Sequence, residues 1–408
     1  MDRDELGDWL RLTLTPGAGP ATARKLLAAF GLPSQLFQQP RSALAQVVGE
    51  SLADRLLTHP PELSDALERT WQWLCEPRED GARAAVLTLG DAGYPAALLD
   101  IEDPPLMLYL LGALDWVPNR PSTPVQQGNS AIFSGAFDAT RSVAVVGSRN
   151  PTPQGRAHAH DFSQALAEAG LTIVSGLALG IDAAAHQGAL AAARGPGARL
   201  ATVAVVGTGL DRVYPKSHLA LARQIVQNGV MVSEYPLGTP PLAANFPRRN
   251  RLIAGLSRGT LVVEAALESG SLITARLAAE QGKEVYAIPG SIHSPQARGC
   301  HALIRQGAKL VESAQDVLED LLGPSSGSAP GVAQSAERSH SASPVGMAEA
   351  AHPDPVLDAL GQDPVGLDAL LARSGLDSAS LQAALTMLEL DGSVARLPGG
   401  LYQRVVRR

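Results

Sequence analysis

The sequence predicts an α/β fold: a doubly wound, Rossmann-like parallel sheet flanked by an N-terminal helical domain of helix-hairpin-helix or SAM-like type and a C-terminal winged-helix domain. Three observations point there. From Arg141 onward, short β-branched runs alternate with helical patterns, as in a parallel sheet covered on both faces. Residues 5–75 read as helical throughout. Beyond a Ser/Ala/Gly/Pro-rich interval, residues 353–408 are patterned as three short helices and a hairpin. A chain of 408 residues is long enough for two or three such domains.

In chain order, residues 1–80 form the helical domain. Its Thr15-Pro-Gly-Ala-Gly-Pro turn feeds a new helix, and such a turn could offer backbone N–H groups to a phosphate. The acidity of the segment favours the plainer reading, a helix–helix connection. Residues 81–322 form the sheet domain. Residues 84–89 and 106–111 read as strands, and the Pro/Ser/Gln/Gly-rich stretch 117–141 as an insertion. Further strands are predicted at Val143–Val146, Thr172–Val174, Thr202–Val206, Val230–Ser233, Thr260–Val263 and Val285–Ile288. Helices are predicted near 154–169, 182–193, 216–228, 248–256, 271–281 and 299–306. Residues 323–352 read as a flexible linker. In the last domain, helices at Val356–Leu360, Leu367–Arg373 and Ala379–Leu390 precede a hairpin over 392–405, which is winged-helix order.

Charge is unevenly placed. The whole chain carries a net −7. Residues 1–140 hold 10 basic and 18 acidic side chains, a net of −8, whereas residues 141–322 hold 17 and 13, a net of +4. A polyanionic partner is therefore expected on the sheet domain. The net −2 of residues 353–408 speaks against DNA binding there and puts a protein-contact or accessory role slightly ahead. The acidic N-terminus has no signal-peptide core, no apolar run reaches the length of a membrane span, and Cys75 and Cys300 lack C-x-x-C partners. A cytoplasmic protein with no zinc site or disulfide framework is expected.

The sharpest local feature is Phe246-Pro-Arg-Arg-Asn-Arg251, extended by Arg258: four arginines within eleven positions. An aromatic ring beside guanidiniums is the pairing that grips single strands, stacking a base while neutralising the backbone. Two other turns suit phosphate. Gly147, Ser148 and Arg149 end the first strand of the alternating region, where a glycine permits close approach and Ser and Arg supply donors. Ser269, Gly270 and Ser271 set small donors at a helix start. Asp182 and His186, at i and i+4, could act in acid–base or metal chemistry. The plainer reading, Asp182 as N-cap with His186 as its local partner, is favoured. His158 and His160 read as solvated surface. Neither a complete G-x-G-x-x-G nor a G-x-x-x-x-G-K-[ST] run is present, so no nicotinamide, flavin or P-loop nucleotide cofactor is expected. No nucleophile–base or carboxylate pair asks for catalysis.

The ordered series Val-Gly-Ser-Arg149, Ser175-Gly-Leu-Ala-x-Gly-Ile-Asp-x-x-Ala-His186, Gly207-x-Gly-x-Asp-x-x-Tyr-Pro215, Ser233-Glu-Tyr-Pro236, Phe246-Pro-x-Arg-Asn-Arg-x-Ile-Ala-Gly-Leu-Ser257 and Glu264-Ala-x-x-x-Ser-Gly-Ser-Leu-Ile-Thr-Ala275 resembles the DNA-processing DprA (Smf) family over about residues 85–322. The flanks match the family's helical and winged-helix domains. The resemblance implies a non-catalytic protein that binds single-stranded DNA entering in natural transformation, protects it, and loads RecA while displacing single-strand-binding protein, working as a homodimer. It places the DNA at Gly147, Ser148, Arg149, Phe246, Arg248, Arg249, Asn250 and Arg251, together with Ser269, Gly270 and Ser271. The stretch 117–141 is longer than the family's usual connection.

Two rivals stand beside it. One is a nucleotide-hydrolysing Rossmann-like enzyme of the lysine-decarboxylase-like (LOG) type, whose P-G-G-x-G-T-x-x-E run survives here only in Gly259-Thr260 and Glu264, the Glu one position late, behind Gly-Leu-Ser-Arg. The other is a scaffold without nucleic acid.

Overall fold

The computed structural model describes residues 1–78, 81–112, 138–193, 200–323, 355–361, 364–397 and 399–405. The insertion expected at 117–141 lies outside the described residues apart from a 3-10 turn at Ala139–Arg141. The linker expected at 323–352 lies outside them after Gly323.

The helical segment comprises α1 (Arg3–Leu14), α2 (Pro20–Phe30), α3 (Pro33–Leu36), α4 (Arg41–Val48), α5 (Glu50–Leu57) and α6 (Leu63–Cys75). Asp2 caps α1 by accepting the Glu5 N–H at 2.8 Å. The Pro-Gly-Ala-Gly turn joins α1 to α2. Gly17 there has φ +89, and a Cβ on it would lie 2.9 Å from the Arg55 guanidinium, which itself donates to the Pro16 carbonyl at 2.8 Å.

Nine strands form one sheet: β1 (Arg83–Thr88), β2 (Met107–Gly112), β3 (Ser142–Val146), β4 (Thr172–Ser175), β5 (Thr202–Val205), β6 (Val230–Ser233), β7 (Gly259–Val262), β8 (Glu284–Ala287) and β9 (Lys309–Leu310), in the order β1-β2-β6-β5-β4-β3-β7-β8-β9. From β6 to β9 every pairing is parallel. The first two strands extend the sheet antiparallel, through Tyr109 opposite Ser233. The crossovers are α7 (Pro153–Glu168), α8 (Ile181–Ala191), α9 (Leu219–Asn228), α10 (Asn245–Gly255), α11 (Ser271–Glu280) and α12 (Arg298–Arg305), and α13 (Ala314–Leu322) follows β9. The central strands are buried along their whole length, which is why they read as unbroken Val/Ile/Ala runs rather than alternating ones.

Two differences from expectation have simple causes. Strand β9 is only two exposed residues long, too short to leave a pattern. Helix α10 starts at Asn245, three residues before its predicted start, and takes in the Phe-Pro corner. Pro247 falls in its first turn, where a missing N–H breaks no helical bond.

The core shows how the parts join. One apolar cluster runs from Leu6, Trp9, Leu26 and Leu56 of the helical segment through Trp73 to Met107, Tyr109 and Met231 of the sheet and Ile225 of α9. The helical segment is therefore packed on the β1–β2–β6 side of the sheet. The C-terminal residues have a core of their own, including Val356, Leu370, Leu381, Leu385 and Val394. They form α14 (Pro355–Leu360), β10 (Val365–Gly366), α15 (Leu367–Ser374), α16 (Ser378–Leu390), β11 (Val394–Leu397) and β12 (Leu401–Arg404), with sheet order β10-β12-β11. That is the winged-helix arrangement.

Candidate nucleic-acid interface

Strand β3 has β4 on one side and β7 on the other, so the chain reverses its winding there and opens a crevice beyond the carboxyl ends of the strands. The loops leaving β3, β4, β5, β6 and β7 all emerge at this end. They carry the turns singled out in the sequence.

The exposed part of the site is an aromatic and cationic shelf. The rings of Phe246 and Tyr214 lie 5.5 Å apart at 36°, and the Arg149 guanidinium stands 5.9 Å from the Phe246 ring centroid, a cation–π distance. Tyr214 is 48% exposed, Phe246 is half-buried, and Arg149 and Arg248 are exposed. A Cβ on Gly207 would meet the Phe246 ring at 3.2 Å, so the glycine leaves room for the ring to settle against the β5 loop. Asn245 fixes the start of α10 by donating to the Gly207 carbonyl at 3.1 Å. On the other flank, Asn250 donates to the Gly270 carbonyl at 3.4 Å, and the Ser269 and Ser271 hydroxyls are 2.7 Å apart. The structure thus brings Arg149, Phe246, Arg248, Asn250 and the Ser269–Ser271 turn to one end of the sheet. Gly147 and Ser148 shape the edge from beneath. A Cβ at Gly147 would strike the Glu264 carbonyl at 2.8 Å. Ser148 is buried, its N–H bonded to that same carbonyl at 2.7 Å.

Two predicted phosphate ligands sit elsewhere. Arg249 is only 3% exposed. The helix turns it away from Arg248 and into the sheet end, where it donates to the carbonyls of Gly176 and Val205. Burial lowers its pKa to about 10 against the pull of Asp182, and it stays charged at neutral pH. Arg251 also points inward. It forms a two-pronged pair with Glu234 at 2.7 and 2.6 Å. Burial opposes its charge, but Glu234, with Asp103 and Tyr235, holds its pKa above the ordinary value. Helical periodicity explains Arg249, whose neighbour Arg248 faces another way, whereas Arg251, three residues beyond Arg248, is drawn in by Glu234. In this structure Arg249 and Arg251 are both turned into the protein and paired there.

Asp182 and His186 are buried as well. Gly180 holds the N-cap position of α8, and the Asp182 carboxylate instead accepts the N–H groups of Gly176 and Ala178 at 3.1 and 3.2 Å. Burial raises its pKa, with Arg249 pulling the other way. His186 bonds Thr202 rather than Asp182. The Thr202 hydroxyl donates to the Ile173 carbonyl and so accepts from Nδ1 of His186 at 2.7 Å, which puts a proton on Nδ1. Burial and the nearby Arg249 lower the His186 pKa to about 3.

Residues that sequence reasoning passed over complete the site. Tyr214 lies in the Gly207-x-Gly-x-Asp-x-x-Tyr-Pro215 run, which carries the family resemblance but gives no sign of an exposed ring. Glu264 reaches across from the end of β7 to the first turn of α7. Its carboxylate accepts from the Thr152 N–H at 2.9 Å and the Thr152 hydroxyl at 2.6 Å, and a Cβ on Gly155 would fall 2.2 Å from its carboxyl carbon. In a doubly wound sheet a dinucleotide's phosphates sit at this helix start. Here the chain's own carboxylate fills it, which disfavours the nucleotide-hydrolysing rival. Among the described residues no group of three or more His, Cys, Asp or Glu could hold a metal ion, and no helix is long and apolar enough to cross a membrane.

Comparison with known proteins agrees with this picture. Residues 126–322 match the family profile of DNA recombination-mediator protein A, and residues 340–400 match the DprA winged helix domain. The chain is 34% identical over 427 residues to Protein Smf of Synechocystis, covering 99% of this chain and 100% of that one. It is 38% identical over 357 residues to Protein Smf of Escherichia coli, covering 87% and 84%. The X-ray structure of DNA processing protein A from Streptococcus pneumoniae superposes with a TM-score of 0.59 at 35% identity, covering 78% of this chain and 98% of that one.

Proposed function

The chain belongs to the DprA/Smf family of DNA recombination mediators, and on that footing we propose that the shelf of Arg149, Tyr214, Phe246 and Arg248 holds single-stranded DNA without cutting it. The observation that carries this reading is the juxtaposition of two accessible rings 5.5 Å apart with a guanidinium over one of them. A base can stack on such a ring only when it is unpaired and free to leave its own stack, and each stacked base adds about 1–3 kcal/mol whatever its identity. The exposed arginines then meet phosphates, a contact that is indifferent to sequence. The carboxylate filling the start of α7 supports holding over hydrolysis. The wider role belongs to the same proposal and is supported by family membership: protecting strands taken up in natural transformation, loading RecA on them while displacing single-strand-binding protein, and acting as a homodimer in the cytoplasm.

Photo-crosslinking tests the location. Oligo(dT) carrying 5-bromodeoxyuridine, irradiated in complex with the protein and mapped by mass spectrometry, should mark the peptides that hold Tyr214 or Phe246. Adducts confined to the helical segment or to residues 355–405 would move the site elsewhere.

A further inference from the structure

The loop Asp103-Pro-Pro105 lies between two arginines from different parts of the molecule. From the helical segment, Arg24 on α2 donates to the Asp103 carboxylate at 2.6 Å and to the Pro104 carbonyl at 3.0 Å. From the proposed DNA helix α10, Arg251 donates through Nε to the Asp103 carbonyl at 3.0 Å, and its other nitrogens lie 3.6 Å from the Asp103 carboxylate and paired with Glu234. Arg251 is also joined to the carbonyl of Arg248, 3.3 Å away on the same helix. Asp103 is therefore shared, and the chain of contacts runs Arg24, Asp103, Arg251, Arg248.

A second contact grips the other end of the same stretch. Arg69 on α6 donates to the Leu237 carbonyl at 3.3 Å, and a Cβ on Gly238 would fall 2.8 Å from its guanidinium. Leu237 and Gly238 lie in the loop that leads from β6 into α10. The helical segment thus holds the connection before α10 and, through Asp103, the body of α10 itself.

From these contacts we propose that the helical segment positions the DNA helix, with Arg24 and Asp103 acting through Arg251 as positioning residues for the strand-binding shelf. The proposal rests on the function proposed above. Its physical basis is that Arg251 has a choice of carboxylates. With Asp103 anchored by Arg24, Arg251 is held on two sides and α10 is fixed in azimuth. Without that anchor, Asp103 is a part-exposed carboxylate on a loop, and Arg251 keeps only Glu234. Because the apolar contact between helical segment and sheet is extensive and continuous, loss of one ion pair leaves the segment docked. The effect is then on the orientation of α10, where Phe246 and Arg248 sit.

Anisotropy of labelled oligo(dT) reads this directly when Arg24→Ala, Asp103→Asn and the double variant are titrated across salt. Asp103→Asn keeps the shape of the side chain and guards against misfolding of the arginine variant. We expect each single change to weaken binding by about 3- to 10-fold with the salt slope unaltered, because no phosphate contact is lost. The double variant should be no weaker than the worse single one, the mark of two residues on one path. Wild-type affinity in folded Arg24→Ala and Asp103→Asn overturns the proposal. So does a salt slope shallower by about 0.7 in Arg24→Ala, which would mean direct phosphate contact. Failure of the wild type itself to bind oligo(dT) would instead remove the function on which the proposal stands.

Discussion

Asp182 and Arg249 hold the two polar groups of one residue. The Asp182 carboxylate accepts the Gly176 N–H at 3.1 Å, and Arg249 donates to the Gly176 carbonyl at 2.7 Å. The turn they clamp contains Leu177, a buried residue with φ +57, a left-handed conformation that costs of order 1–3 kcal/mol and persists only when its surroundings impose it. Gly176 itself has no room for a side chain, since a Cβ there would lie 2.3 Å from the Arg249 guanidinium. The arginine run is thus divided by the helix into a face that can meet DNA and a face that braces the β4 loop.

This division predicts opposite phenotypes for neighbours. Arg249→Ala leaves the buried Gly176 and Val205 carbonyls without their donor and removes a positive charge acting on the buried Asp182 carboxylate, and should destabilise the fold by about 3–5 kcal/mol in urea denaturation. Arg248→Ala should change stability by less than about 0.5 kcal/mol. It should weaken oligo(dT) binding alike for all sequences and make the log–log salt slope shallower by about 0.7. Equal stability of the two variants would contradict the assignment.

Stacking and charge should separate in the same assay. Phe246→Ala and Tyr214→Ala remove ring surface and leave the arginines in place. Each should lower affinity by about 5- to 150-fold, the equivalent of roughly 1–3 kcal/mol, at an unchanged salt slope. An altered slope with little loss of affinity would mean that the rings pack the shelf without touching bases.

His186 gives a pH dependence whose sign follows from its burial. Its folded pKa is depressed to about 3, against about 6.5 in the unfolded chain. Between those values the unfolded state binds the extra proton, so stability is full above about pH 6.5 and is lost as pH falls towards 3, by up to about 1.4 kcal/mol per unit. Comparing the pH dependence of unfolding in wild type and His186→Gln isolates this contribution. A difference that stays constant from pH 7 to pH 4.5 would show that the imidazole takes up its proton in the fold as readily as in the unfolded chain.

Glu264 predicts what the crevice refuses. With its carboxylate in the first turn of α7, millimolar AMP should neither raise the melting temperature nor release ribose phosphate. Binding or hydrolysis of AMP by the wild type would restore the enzyme reading.

The sheet was legible because buried parallel strands leave unbroken runs such as Val143–Val146 and Val230–Val232, and because Gly and Pro punctuate the turns between them. The antiparallel attachment of β1 and β2 was not legible, since a strand's partner is a long-range fact absent from local pattern. The site was half legible. Composition and position marked the segment Phe246–Arg251, but composition does not say which arginine faces out. That depends on Asp182 and Glu234, far off in sequence, which turn Arg249 and Arg251 into the protein. Tyr214 joins the site through a long-range contact, the β5 loop laying its ring against Phe246 of α10.

The most direct test of the central claim is a paired anisotropy titration of labelled oligo(dT) and the matching duplex over a range of salt. The account predicts tighter binding to the single strand, with affinity falling as salt rises at roughly −0.7 per contacted phosphate on log–log axes. Equal affinity for the duplex, or binding indifferent to salt, would contradict it.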